Sequence, residues 1–349
     1  MAGEKVPSTT ARLRVGQQSA KGTAATKVVC GTMTMSGLNT TKDPIDKGGE
    51  HGCNTGPDRA TVHKSEQRYS SFIVNGSFRG YMYPDLIGYL LLGAGFVVAT
   101  TAGTAGATGT YSHVFTLAQR TAVPWLSVHS QIGSKNRLAL DARVNQLTMT
   151  ANAQGFTYNG TFQALKEDEV AVAGITVTNE ETSEILTTRG SMLLNYDPDG
   201  TPVTMLANEQ EGFTLVINNP FDQEQQRLFN FGRYDLPQTG LDVTGTVEGL
   251  NVDYLNYERI KGGAVGVDTV SDDCALAKLD VTFNSAENIG ATAIPSSIRI
   301  EIAHAEVNLN DFQAEGTNTV EWTFPFRMIV DNTTPIKITL VNKLPSYAA

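Results

Sequence analysis

Residues 75–95, NGSFRGYMYPDLIGYLLLGAG, decide how this chain is read. NGSFRGYMY has the aromatic content of a strand that carries two glycines, and Pro84-Asp85 marks a turn. The apolar run that follows predicts one short helix. Leu86, Tyr89, Leu90 and Gly93 fall at helical spacing, so one face of it should pack on a sheet. Pro84 suits the first helical position, and Gly93 and Gly95 suit its end. The stretch has an echo near half of the chain's 349 residues later, in TGTVEGLNVDYLNYERIKGGA from Thr244. Gly76, Ser77, Phe78, Arg79 and Gly80 align there with Gly245, Thr246, Val247, Glu248 and Gly249.

A match this short gains weight only if its neighbours repeat in the same order, and they do. Ala142-Arg143-Val144-Asn145 is answered by Ala305-Glu306-Val307-Asn308. Before each lies an apolar-Pro strand start, Val123-Pro124 and Ile294-Pro295. After each lies an aromatic strand, Phe156 to Leu165 and Trp322 to Ile329. Met33-Thr34-Met35 corresponds to Phe213-Thr214-Leu215 ahead of the glycine strands. The repeat predicts a mainly β protein of two tandem domains, residues 1–179 and 180–349, each with one short helix. The second helix is expected near Asp253 to Ile260, and the charged stretch NEETSE (179–184) marks the boundary.

Between the predicted strands, residues 1–24 are rich in small polar residues and read as an arm outside the core. Asn39 to Gln67 is a long polar run with two prolines and several glycines, which reads as one loop. Ala99 to Thr110, ATTAGTAGATGT, reads as a flexible loop.

Hydrophobic residues make up 40% of the chain, enough for packed cores. No apolar run approaches the ~20 residues that span a bilayer. The first residues lack an apolar signal region, so synthesis in a cytoplasm is expected. Three cysteines, Cys30, Cys53 and Cys274, cannot all pair within one chain, and free thiols are expected. His51, Cys53 and His63 match no zinc spacing. The five histidines (His51, His63, His113, His129 and His304) lie on unrelated segments. No nucleophile elbow, phosphate loop or metal-binding helix accompanies them, so no catalytic residue, metal or cofactor is expected. The net charge is −10, and the acidic excess lies after residue 70. Such a body is unsuited to gripping a phosphate backbone.

Taken together, RVGQQSAKGTAAT near the start, SFIVNGSFRGYMYPDLIGYLLLGAG, TYSHVFTL, VPWLSVHSQIG and LDARVNQLTMTANAQGF resemble the tail tube (major tail) proteins of long-tailed, non-contractile (siphovirus-type) phages. EGFTLVINN, LDVTGTVEG and AEVN with WTFPFRM extend the resemblance through the second half, over roughly residues 12–343. The resemblance implies β-sandwich or half-barrel domains, each flanked by a helix, that form rings stacked into a DNA-conducting tube in the virion tail. It implies other tail proteins at the tube ends, a tape measure protein in the lumen and DNA passing without specific binding. Membrane insertion and enzymatic activity are not implied. Two domains per chain would make the ring a trimer with pseudo-six-fold symmetry, and the acidic residues would either face the lumen, where they repel phosphates, or form a general acidic surface. In this family the loop matching residues 39–67 reaches the adjacent ring. Lys42, Asp43, Asp46, Lys47, Glu50, Asp58 and Arg59 are therefore expected stacking contacts, with Pro220 to Gly240 a lesser one. Readings from other classes are a decoration or tail-end protein, and a two-domain β-sandwich binding module or glycosidase.

Overall fold

Apolar and polar residues alternate through most of the chain with a period of two, the spacing of a strand with one face in a core. The strand Ile336–Asn342 shows the result: every second residue is buried along its whole length. The computed structural model describes residues 12–31, 34–45, 68–103, 108–118, 123–132, 135–169, 175–179, 182–196, 203–207, 210–221, 235–250, 258, 261, 275–290, 292–308, 321–330 and 334–348.

In chain order the elements are β1 (Arg12–Gln17), β2 (Lys27–Gly31), β3 (Thr34–Ile45), β4 (Arg68–Tyr81), α1 (Pro84–Gly93), β5 (Phe96–Ala102), β6 (Tyr111–Leu117), β7 (Leu126–Ile132), β8 (Lys135–Asn152), β9 (Gly155–Glu169) and β10 (Thr176–Asn179). They continue with β11 (Ile185–Tyr196), β12 (Val203–Ala207), β13 (Gln210–Asn218), β14 (Asp242–Leu250), β15 (Ala275–Asn288), β16 (Pro295–Val307), β17 (Glu321–Met328) and β18 (Ile336–Asn342). The protein is mainly β, and all the strands join one hydrogen-bonded network.

One strand order occurs twice in that network. In the first half it runs β2-β1-β7-β8-β9-β4-β3, antiparallel at every step. In the second half it runs β12-β11-β15-β16-β17-β14-β13, again antiparallel throughout. The registers match as well. Phe162 lies opposite Gly76 on one side and Val144 on the other. Phe326 lies opposite Gly245 and Val307 in the same way. Gly80 faces Tyr158, and Gly249 faces Trp322. The glycines make room for the rings: a Cβ on Gly76 would stand 2.3 Å from the Phe162 ring, and one on Gly245 would stand 2.4 Å from Phe326.

The halves are also joined to each other. β13 pairs with β8, and β18 pairs with β6. One hydrophobic core takes residues from both, from Leu13 and Val15 through Phe162, Phe213 and Phe326 to Tyr347. The expected boundary is pinned: Thr182 is buried, and its N–H and hydroxyl donate to Asp85 at the start of α1.

Several expectations need correction. The supposed arm contributes β1, whose Leu13 and Val15 are buried between β2 and β7; an alternation this short is masked by the small polar residues around it. The helix is buried on every side, not along one face, because strands of both halves pack around it. Residues 39–45 are strand, not loop, paired with β4. Pro44, which has no N–H to donate, falls where that ladder shifts register. Ala99 to Ala102 continue β5 against β6. Met35 lies opposite Phe78 as Phe213 lies opposite Val247, so Met35 answers Phe213, not Leu215, and Leu38 answers Leu215 across a bulge. Val123-Pro124 precedes β7, whereas Ile294-Pro295 opens the strand equivalent to β8, so those two are not counterparts. The second expected helix, Asp253 to Ile260, lies outside the described residues except for Glu258. Among the described residues no helix is long and apolar enough to cross a membrane.

Candidate functional site

Among the described residues, the joint between the halves carries a built polar site. β8 pairs with β13 from Ala151↔Phe213 to Gln146↔Asn218. The chain leaving β13 is then held by Asn219, which is fully buried. Its backbone N–H donates to Asn145 O at 2.8 Å, and its Nδ2 donates to Val144 O at 3.2 Å. Both acceptors belong to the repeated Ala-Arg-Val-Asn segment.

Arg143 of the same segment caps the connection from β13 to β14. Its guanidinium donates to the backbone oxygens of Leu236 and Val123 and stacks 3.8 Å over the Trp125 ring. Lys21 sits 5.1 Å over that indole and 3.6 Å from Asp235. Beneath them Leu165, Phe221 and Leu236 make a small second core against Trp125. Burial pulls the Arg143 pKa down to about 10 and the Asp235 charge opposes the fall, so the group stays cationic at neutral pH. A carbonyl pair and an aromatic face suit the planar fork of arginine and not the point charge of lysine. Across the polar face of the joint, Arg79, Asn159, Thr148, Val216, Thr244 and Arg327 form one continuous row. An open depression of about 510 Å³ lies beside it, lined by Asn145, Gln146, Asn218, Asp242 and Arg327 among others. Arg327 Nε donates to Asp242 there at 3.0 Å.

A second polar cluster closes the start of α1. Pro84 O accepts from the Tyr347 hydroxyl at 2.6 Å and from Asn342 Nδ2 at 3.0 Å. His113 is fully buried. Its Nε2 faces Asn342 Oδ1 and Leu344 O, both at 2.9 Å, which puts the proton on that nitrogen, and Nδ1 accepts from Thr100. Burial lowers the His113 pKa, partly offset by its bonds to Asn342 and Leu344. Burial and then the Asp85 charge push the Tyr89 hydroxyl up to about 12. Every group here has structural partners, and no nucleophile faces an open cleft within the cluster.

Of the residues singled out in the sequence, Gly76, Gly80, Gly245 and Gly249 lie in the matched strands β4 and β14. Lys42 and Asp43 lie in β3, opposite Phe72 and Ser71 of β4. Asp46, Lys47, Glu50, Asp58 and Arg59 lie outside the described residues, as do His51, Cys53, His63 and Cys274. Cys30 is a buried free thiol. No group of three potential metal ligands occurs among the described residues. Sequence reading missed the roles of Arg143, Asn219, Asp85 and Tyr347. The Arg143 signal lay inside the repeated tetrapeptide, at the one position where the two copies carry opposite charges. No protein-family model matches the chain, and no curated protein matches it.

Proposed function

We propose that the chain is a structural subunit of a siphovirus-type phage tail tube, a tandem duplication that assembles into rings and stacks them around a DNA-conducting lumen. The observation that carries the proposal is the β8–β13 ladder. β13 holds in the second strand order the place that β3 holds in the first, so the ladder is a head-to-tail contact between two equivalent units. The strands alternate in direction, and β3 and β13 are four places apart, so the step from one unit to the next reverses nothing. Among the described residues β3 pairs with β4 alone, which leaves an open edge of the kind that β13 gives to β8. A heterologous contact of this sort closes into a ring when its rotation allows, and closure removes the exposed edges. Three chains of two units would give the pseudo-six-fold ring.

The reach of β3 and β4 supports stacking. β4 pairs with β9 only from Val74 onward, so Thr41–Ile45 and Arg68–Ile73 form a two-stranded ribbon beyond that ladder. A two-stranded ribbon is marginal alone in water and gains from a covering partner, which an adjacent ring would supply. Between Arg79 and Arg327 at its ends, the row across the joint carries only the uncharged Asn159, Thr148, Val216 and Thr244, which offer a sliding polymer little to hold it.

Purified protein examined by negative-stain microscopy over a range of concentrations, with mass measurement of isolated rings, tests the proposal. Rings of three chains stacking into hollow filaments are expected. A protein that remains monomeric at every concentration overturns the tube reading, and rings of six chains overturn the trimer.

A further inference from the structure

The sheet that crosses the joint has one open face. From β4 through β9, β8, β13 and β14 to β17 it is hydrogen-bonded without a break. Its covered face sends Phe78, Phe162, Met149, Leu215, Val247 and Phe324 into the core that they share with α1. On the other face, beside the row from Arg79 to Arg327, runs a second row of Tyr81, Thr157, Thr150, Thr214, Thr246 and Pro325. Four threonines thus stand abreast on four strands, two from each half. A third row, on the far side of the first, is Ser77, Thr161, Gln146, Asn218 and Asp242. Every side chain in the three rows is half-buried or exposed. Only Arg79, Asp242 and Arg327 among them carry charge, and the last two are paired at 3.0 Å. Glu248 lies one row further, beyond the last pair of the β8–β13 ladder. Asp280 and Glu301 stand elsewhere, on β15 and β16, bound to Arg299 and Lys337. They alternate with Val281 and Ile300, which are buried in the core, so these acids face outward.

We propose that these three rows line the lumen and make its wall across each joint an uncharged one, in which a passing polyanion meets threonine hydroxyls and amides with neither a countercharge nor an acidic barrier. The placement rests on the ring-forming reading, since a lumen exists only in a closed ring. Repetition of the β8–β13 contact carries the sheet on from unit to unit. A closed sheet has less room on its concave side than on its convex side. The layer that holds the core and α1 therefore lies outside, and the thin open face lies inside. Each phosphate neutralised by a cation adds salt-dependent affinity, which would slow a sliding polymer. Hydroxyls and amides exchange a bond to water for a bond to phosphate at little net gain, so no contact along the rows holds the polymer. Thr150 and Thr214, paired across the joint, set this character. A lysine at either would put a cation into the wall of every chain.

Thiol labelling of assembled full-length protein tests the placement, with Thr214→Cys on the open face and Lys278→Cys, an exposed position of β15, as the outward reference. Each variant is treated with a small maleimide and with a maleimide carried on a long polyethylene glycol, and labelling is read at its own peptide by mass spectrometry. Assembly should abolish polymer labelling of Thr214→Cys while the small reagent still reaches it, and should leave Lys278→Cys open to both. Sedimentation with a short DNA duplex at low salt tests the charge. Wild-type filaments should carry no duplex down, whereas Thr150→Lys or Thr214→Lys filaments should carry it and release it as salt rises. Rings or filaments in which Thr214→Cys stays open to the polymer overturn the lumen placement and leave the tube reading standing. Salt-sensitive capture of DNA by wild-type filaments, or no capture by either lysine variant, overturns the uncharged wall alone. Protein that never assembles overturns the tube reading and the wall with it.

Discussion

The sharpest test of the packing is a double-mutant cycle on Gly88 and Tyr347. Gly88 sits in the middle of α1, where glycine ordinarily costs ~0.5–1 kcal/mol relative to alanine. Here the exchange has no room. A Cβ at Gly88 would stand 2.2 Å from Tyr347 Cζ and 2.6 Å from its Oη. Tyr347 cannot step aside: it is fully buried, its hydroxyl is tied to Pro84 O and Asn342, and its ring lies 4.7 Å from His113 and 5.0 Å from Tyr89, centroid to centroid. Overpacking of a core costs about 1–3 kcal/mol, and a pinned ring belongs at the upper end. Set against the helix gain, Gly88→Ala should destabilise by roughly 2 kcal/mol. Tyr347→Ala removes a large buried aromatic and should cost about 3–5 kcal/mol. In that background the obstacle is gone, and Gly88→Ala should stabilise by up to about 1 kcal/mol. The coupling between the two sites is then roughly 3 kcal/mol. Urea unfolding of the four proteins, followed by circular dichroism, measures it. A Gly88→Ala effect that is the same in both backgrounds, within about 0.5 kcal/mol, refutes the reasoning.

Burial, and then the Arg14 charge beside it, pushes the His129 pKa from 6.5 down to about 4 in the folded chain. The unfolded chain takes up this proton at the higher pH, so stability is full above pH 6.5 and falls as pH drops toward 4, by roughly 3 kcal/mol from this group. Urea midpoints from pH 7 to 4.5 should decline, and His129→Gln should flatten the decline; an unchanged slope in the variant removes His129 as its source. Alanine should be tolerated unequally at the two matched glycines. The nearest obstacle at Gly76 is the tip of the Phe162 ring, whereas Gly245 also meets the backbone oxygen of Thr214 at 2.1 Å. Gly245→Ala should therefore lower the urea midpoint more than Gly76→Ala, and the opposite order would show that the Phe162 ring is the more rigid neighbour.

Much of the β architecture was legible because period-two alternation is a local signal, and the repeat was legible because its glycine and Ala-x-Val-Asn segments sit on matched strands. The failures share a cause: where tertiary neighbours decide, local pattern is silent. Leu13 and Val15 alone make too short an alternation to stand out in a polar arm, yet two flanking strands bury them. The polar run Asn39 to Ile45 reads as loop, but a ribbon held by backbone pairing needs no apolar face. The helix reads as one-sided because its spacing highlights Leu86, Tyr89 and Leu90, while Ile87, Leu91 and Leu92 are buried as well, in a surround of strands that includes two from the far half. Arg143 entered the sequence reading only as a member of the repeated Ala-Arg-Val-Asn segment. Only the fold brings Leu236 and Val123 to its guanidinium, from segments distant in sequence on either side of it.

The place where β8 changes partner explains how one chain can repeat a fold and still share a single core. β8 pairs with β7 from Lys135 to Ala142 and with β13 from Gln146 to Ala151, on the same edge. Its ladder with β9 shifts register between Val144 and Gln146. The extra residue, Asn145, turns its oxygen to the Asn219 N–H. A bulge bends and twists a strand locally, so the strand lies in its own unit on one side of Asn145 and in the sheet of the next unit on the other. The angle between units is therefore set at this bulge and fixed by Asn219. In the ring proposed here that angle, repeated at each joint, would decide how many units close the circle. The corresponding residue in the second half is Asn308, whose N–H donates to Pro325 O at 3.0 Å. It lies just past the end of β16, matched to Asn145 by the rows that pair Val307 with Phe326 and Val144 with Phe162. An altered bulge at Asn145 should therefore change the angle between the two units inside every chain.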